Sequence, residues 1–108
     1  MNYYTNLDQV AVIIHDDWGS GWYTYHEKLE LLFDPELAQA LDTQNTAAAR
    51  DRLDQLAEEY PEFVDMLKRT NPSELAVEWI PRGKKFIIQE YDGIENIWLK
   101  DKIRWIQT

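Results

Sequence analysis

Residues 15–26 hold both histidines of the chain together with two carboxylates. Imidazole and carboxylate groups are common ligands of transition metals, so one hypothesis is a cation site. Its members would be His15, Asp16, Asp17 and His26. Their spacing matches no compact metal-binding motif, and we therefore expect no bound metal and no cofactor.

The same segment places Trp18 and Trp22 on either side of Gly19-Ser20-Gly21. Trp is enriched at binding hot spots because it buries a large area at a low entropy cost. This pattern predicts a partner-contacting loop in which both Trp side chains are apolar anchors and Asp16 and Asp17 lie beside them. The alternative is that both Trp side chains cover one end of the core.

Five acidic residues follow one another at helical spacing in the middle of the chain. On a regular α-helix they share one face, with apolar side chains on the opposite face. Carboxylates at this spacing repel one another, so a function is one explanation: an anionic surface that docks on a basic groove, as nucleic-acid phosphates do. The alternatives are a solvated face that maintains solubility and a cation site. The five residues are Asp51, Asp54, Glu58, Glu62 and Asp65.

A hairpin turn at Asp92-Gly93 would place Glu90 opposite Glu95. Directly opposed like charges destabilise a strand pair, so this arrangement needs an explanation. The two carboxylates could share a proton or bind a cation, or a glycine bulge could shift the register. Neutralisation by a nearby base is a further alternative, with Lys84, Lys85, Lys100 and Arg104 as candidates. Since no substrate-orienting group accompanies the pair, we expect no enzymatic activity and no catalytic residue.

Helix signals occupy the middle of the chain. Asp34 is a good N-cap before Pro35, and a second helix is predicted from Asn45 or Thr46. At Pro61 this helix either ends near Glu59, with a new helix following, or bends. The stretch 27–33 is ambiguous but favours a helix.

Strand signals lie on both sides of this helical region. The run 9–15 predicts a buried strand and 22–26 a short aromatic strand. Further strands are expected at 75–80, 85–91, 94–99 and 103–106. The pattern predicts one α+β domain over residues 1–108, with an antiparallel sheet of roughly three to five strands on two or three helices.

The composition limits the function classes. The 108 residues carry 20 Asp+Glu against 11 Lys+Arg, a net charge of −9, and no Cys. The acidic balance argues against direct binding to nucleic acid, and the absence of Cys excludes a thiolate nucleophile or a zinc–thiolate site. The longest apolar run is too short to span a membrane, and the first residues lack a signal peptide's basic start. We therefore expect a cytoplasmic protein with no membrane partner.

Several short strings resemble, in this order, small acidic proteins predicted in bacteriophages and prophages. The resemblance covers roughly residues 19–97, leaving 45–71 unmatched. The strings are Gly19-Ser20-Gly21-Trp22, Leu31-Leu32-Phe33-Asp34-Pro35, Val77-Glu78-Trp79-Ile80-Pro81 with Gly83, and Phe86-x-Ile88-x-Glu90-Tyr91-Asp92-Gly93-x-Glu95. The resemblance implies action in an infected bacterium and a protein that inhibits host machinery, as anti-CRISPR proteins do.

Together these patterns predict a non-enzymatic interaction protein that imitates nucleic acid. Its partner would be a bacterial protein with a basic surface, such as a CRISPR effector or another nucleic-acid-binding protein. The alternative is a small-ligand or cation-binding module that uses the Trp/Gly loop and the hairpin carboxylates. A homodimer formed through an edge strand at 103–106 also stays open.

Overall fold

The computed structural model describes residues 1–19 and 21–100. Its larger sheet is antiparallel and has the order β1 (Thr5–Asn6), β2 (Gln9–His15), β3 (Leu75–Pro81). β2 is the central strand and is buried from Val10 onward. The expected strand at 103–106 lies outside the described residues.

A hairpin forms a second, separate sheet from β4 (Phe86–Tyr91) and β5 (Ile94–Leu99). The turn is Asp92-Gly93, and the register pairs Tyr91 with Ile94, as the sequence predicts. The predicted α+β fold with antiparallel strands is confirmed, and the hairpin forms a second sheet that packs on the larger sheet instead of extending it.

The helices lie between β2 and β3 in the chain. Two short helices come first, α1 (Tyr23–His26) and α2 (Leu29–Leu32), and α3 (Pro35–Asp42) follows them directly. The longest is α4 (Thr46–Glu59), and α5 (Val64–Arg69) comes after a 3-10 turn at Pro61–Phe63. A second 3-10 turn, Pro72–Glu74, leads into β3. None of the helices in the described ranges is long and apolar enough to cross a membrane.

The core consists of two apolar clusters on opposite faces of β2. Ala11 and Ile13 pack against side chains of α3, α4 and α5, including Leu37 and Leu53. Val12 and Ile14 point the other way, because successive side chains of a strand alternate between faces. Their partners include Leu32, Phe86, Ile88, Ile97 and Leu99. The molecule thus has three layers: helices, the larger sheet and the hairpin.

The local helix signals are confirmed, whereas one predicted strand is wrong. The Asp34 side chain accepts the N–H of Leu37 at 2.9 Å, and that of Asn45 accepts the N–H of Ala48 at 3.1 Å, so both are N-caps. α4 ends at Glu59 and a new helical segment begins at Pro61, the first of the two alternatives. Residues 23–26 form a helix instead of the expected aromatic strand.

Candidate functional site

The five predicted acidic residues are all exposed, but they do not lie along one helix. Asp51, Asp54 and Glu58 belong to α4, whereas Glu62 and Asp65 lie beyond the break at Pro61. The row of acidic residues is therefore interrupted at Pro61, where the sequence left a helix end or a bend as alternatives. We call these five residues the acidic face.

Arg50 shows how the two parts of the acidic face are arranged. Its guanidinium, near the start of α4, donates to the carbonyl oxygens of Leu67 at 2.9 Å and Thr70 at 2.7 Å, at the end of α5. The chain therefore reverses at Pro61, and α5 returns beside α4. As a result, the two helical segments that carry the acidic face lie antiparallel and side by side.

The two arginines of α4 are used inside the fold, whereas Lys68 and Arg69 are exposed in the last turn of α5. Besides its two carbonyl contacts, Arg50 pairs with Asp54 at 3.0 Å. Arg52 binds the buried carboxylate of Asp34 through two hydrogen bonds of 3.0 and 2.8 Å, and these bonds are the main reason that its pKa is raised. Within residues 1–19 and 21–100, no Lys or Arg nitrogen lies within 4.0 Å of the other four carboxylates of the acidic face. This surface therefore stays anionic.

Tyr60, at the end of α4, is in the same negative environment. Its pKa is raised, first by burial and then by the charges of Glu30 and Glu59. The same carboxylates would attract a cation that approaches this end of α4, because their electrostatic field extends beyond direct contacts.

An exposed aromatic ring borders the acidic face. The side chain of Tyr25 is 53% exposed, and its ring centroid lies 6.4 Å from that of Phe63, the residue after Glu62. Sequence reasoning missed Tyr25 because a strand at 22–26 gave no reason to place this side chain beside α5. The contact joins two segments that are distant in the chain, so no local sequence signal predicts it.

The structure separates the two Trp side chains that we expected to be partner anchors. Trp22 is fully buried in the core beside α1, so a partner contact through its side chain is wrong. Trp18 is 66% exposed, and Asp16 and Asp17 are exposed as well. The residue after Trp18, Gly19, donates its N–H to the carbonyl of Asp92 at 3.1 Å, which fixes the loop against the hairpin turn.

Glu95 is a buried structural carboxylate. Its side chain is 0% exposed and accepts the backbone N–H groups of His15 at 2.8 Å, Trp22 at 3.1 Å and Thr24 at 2.8 Å, with the Thr24 hydroxyl at 2.9 Å. It therefore satisfies first-turn N–H groups of α1 that the local sequence cannot cap. This long-range cap explains why residues 23–26 become helical despite their aromatic, strand-like composition.

The opposed pair Glu90 and Glu95 is confirmed in register, so no glycine bulge shifts the strands. The two carboxylates have different hydrogen-bond partners. Glu90 accepts the N–H of Gly93 in its own turn, whereas Glu95 binds groups of β2 and α1. These separate donors let the hairpin accommodate two like charges at opposed positions.

The two histidines also have separate partners. The Nδ1 of His15 lies 2.9 Å from the carbonyl of Gly93, and its Nε2 lies 3.0 Å from a carboxylate oxygen of Glu74. The Nδ1 of His26 accepts the N–H of Lys28 at 2.8 Å. Burial, and next the charge of Lys28, lower the pKa of His26 to about 4. Its ring is therefore neutral at physiological pH.

The hypothetical cation site of His15, Asp16, Asp17 and His26 is not assembled. In the part of the chain that the structure describes, no three His, Asp or Glu side chains form a group that could hold a metal ion. Both ring nitrogens of His15 and the Nδ1 of His26 have partners within the fold, and the Nε2 of His26 is buried without a hydrogen-bond partner among the described residues. What the exposed residues offer is a charged surface bordered by an aromatic ring, an arrangement suited to binding.

No protein-family model, curated protein or solved structure shows significant similarity to this chain.

Proposed function

We propose that this chain is a non-enzymatic binding protein that docks its acidic face on a basic surface of another protein. Asp51, Asp54, Glu58, Glu62 and Asp65 supply the charge complementarity, which accelerates encounter and selects the partner. Tyr25 supplies an aromatic contact at the border of this face.

The observation that carries the proposal is that the arginines next to the acidic face bind groups within the fold and leave most of its carboxylates without a cation. Arg50 and Arg52 are the bases of α4, and both guanidinium groups bind partners of the fold. A face that served only solubility would mix both signs of charge. On α4 the positive charges are held by intramolecular bonds, and the exposed bases Lys68 and Arg69 lie only at the far end of α5. Four of the five carboxylates have no cationic partner among the described residues.

The partner that this chemistry fits is a protein that handles nucleic acid, because such a protein presents Lys and Arg side chains to phosphates. The resemblance to phage proteins favours a bacterial partner, such as a CRISPR effector, and inhibition by occupation of its nucleic-acid groove. We infer a binding role and no catalytic one because Glu95, His15 and His26 already form specific hydrogen bonds within the fold.

The test compares three baits in pull-downs from bacterial lysate at low salt. The first is the natural sequence, and the second reverses three charges of the acidic face, Asp51→Lys, Glu58→Lys and Asp65→Lys. The third makes the same change in net charge elsewhere, at the exposed residues Asp8, Asp42 and Glu78. Circular dichroism verifies that all three fold.

The proposal predicts that one or more nucleic-acid-binding proteins are recovered with the natural sequence and with the control variant, but not with the acidic-face variant. High salt should release them, because screening weakens exposed charge pairs. Equal recovery by all three baits, or no specific recovery from any relevant host, would contradict it.

A further inference from the structure

A cleft between α2 and β4 lies away from the acidic face. It has a volume of about 620 Å³, within the range of small-ligand and peptide sites. Its walls are mainly apolar, and lysines stand at one end. The lining residues from α2 and its surroundings are Tyr23, Leu29, Leu32 and Phe33, and those from the β4 side are Lys84, Lys85, Phe86, Ile87 and Ile88.

The edge of β4 that faces this cleft does not pair with β5. Lys100 donates its N–H to the carbonyl of Lys85 at 2.9 Å, which makes these two residues a hydrogen-bonded pair. Because such pairs alternate along an antiparallel ladder, Ile87 also directs its backbone groups toward β5. Phe86 and Ile88 therefore direct their N–H and C=O groups the other way.

Those outward groups have no strand partner within the described residues, where the hairpin is a two-stranded sheet. Consecutive residues of β4, Phe86 to Ile88, line the cleft together with Leu29 and Leu32 of α2. Because side chains alternate between the faces of a strand, lining by consecutive residues places the cleft along this edge. An open edge of this kind can accept a further strand, and α2 forms the opposite wall of the groove.

The charges along β4 run from positive to negative. Lys85 and Lys100 are exposed at its beginning, and Arg82 stands in the preceding turn. Glu90 and Asp92 are exposed at its other end. In a protein with a net charge of −9, this local cluster of bases favours an acidic group at the beginning of β4.

We propose that this cleft binds an extended acidic peptide segment of another protein by strand addition. The segment pairs with the outward N–H and C=O groups of Phe86 and Ile88. Its apolar side chains pack between Leu29 and Ile87, and its Asp or Glu side chains lie beside Lys85 and Lys100. The backbone edge, which has no partner among residues 1–19 and 21–100, favours a peptide over a lipid-like anion, because an acyl chain cannot satisfy those hydrogen-bonding groups.

The test is selection from a library of random octapeptides against the full chain. We expect enrichment of peptides with alternating β-branched residues and Asp or Glu at one end. Amides of Phe86 and Ile88 should exchange more slowly with solvent when a synthetic copy of an enriched peptide is bound.

Two variants locate the site. Leu29→Asp puts a charge on the exposed wall of the cleft, and Lys85→Glu reverses the charge at its end. We expect each variant to raise the Kd for the peptide by about tenfold or more, which corresponds to the loss of one good contact. Leu7→Asp and Lys68→Glu are matched controls at exposed positions outside the cleft and should have no effect.

Failure to enrich any peptide would overturn the inference, as would binding that is insensitive to Leu29→Asp. Binding of decanoate at the same site without peptide binding would also overturn it, in favour of a lipid-like anion. The acidic-face variant should keep peptide binding unchanged, so this inference and the proposed function can fail separately.

Discussion

The carboxylate of Glu95 accepts the backbone N–H of His15 at 2.8 Å, which joins β5 to the last residue of β2 across 80 positions of the chain. The same carboxylate holds the N–H groups of Trp22 and Thr24 at the start of α1. One buried side chain thus connects the two sheets with the helix that carries Tyr25 to the border of the acidic face.

Neutralising Glu95 should destabilise the whole fold. Glu95→Gln replaces one acceptor oxygen with an NH₂ group that faces protein donors, so we expect a loss of about 3 kcal/mol in the free energy of unfolding. Urea denaturation followed by circular dichroism measures this loss. Glu90→Gln, on the opposed but exposed residue, should cost less than about 1 kcal/mol. Equal losses in the two variants would show that Glu95 does not have this role.

Gly93 should tolerate no side chain, because its Cβ would overlap the carbonyl oxygen of Gly19. Gly83 has a similar positive φ, +83° against +91°, but no atom within 4 Å of its Cβ position. Both Gly→Ala variants have the cost of a positive φ, about 1 kcal/mol. The additional loss in Gly93→Ala isolates the contact between the loop and the hairpin. Equal thermal midpoints for Gly93→Ala and Gly83→Ala would rule out the close contact between Gly93 and Gly19.

Removing the Arg52 guanidinium should leave the buried Asp34 carboxylate without its cation. We expect Arg52→Met to lower the free energy of unfolding by about 3 kcal/mol. In the double variant Arg52→Met, Asp34→Asn the charge is gone and Asn still caps α3, so part of this loss should be recovered. A double variant whose loss equals the sum of the two single losses would contradict the coupling.

Stability should fall in mild acid because of His26. Its pKa is lowered from 6.5 to about 4 in the fold. The unfolded chain therefore takes up this proton first, and the stabilisation present above pH 6.5 is lost as the pH falls toward 4. The full effect is roughly 3 kcal/mol. His26→Asn keeps an acceptor for Lys28 N–H without a titrating ring. The difference between the unfolding free energies of the two proteins should change by roughly 3 kcal/mol between these pH values, and parallel curves would contradict the assignment.

The elements that depend on neighbouring residues could be predicted from the sequence. Asp34 before Pro35 starts α3, Pro61 ends the helix before it, and Asp92-Gly93 sets the hairpin register. Each is a signal contained within a few residues, so no tertiary information is required.

The predictions that were wrong concern elements whose structure depends on residues far away in the chain. The helix at residues 23–26 requires a carboxylate from Glu95, about seventy positions away, and the burial of Trp22 follows from the same contact. The acidic face was identified by residue type, but its shape depends on Arg50 reaching the carbonyls of Leu67 and Thr70. Helical periodicity alone cannot show that the chain folds back.

The most direct measurement of the acidic face is the association rate of the protein with a partner recovered in the pull-downs, over a range of ionic strength. Between about 0.05 and 0.5 M salt, the natural sequence and the Asp8, Asp42, Glu78 control should associate progressively more slowly, by about tenfold or more. The Asp51→Lys, Glu58→Lys, Asp65→Lys variant should associate slowly at every salt concentration. If all three proteins share one salt-independent rate, docking through the acidic face is wrong.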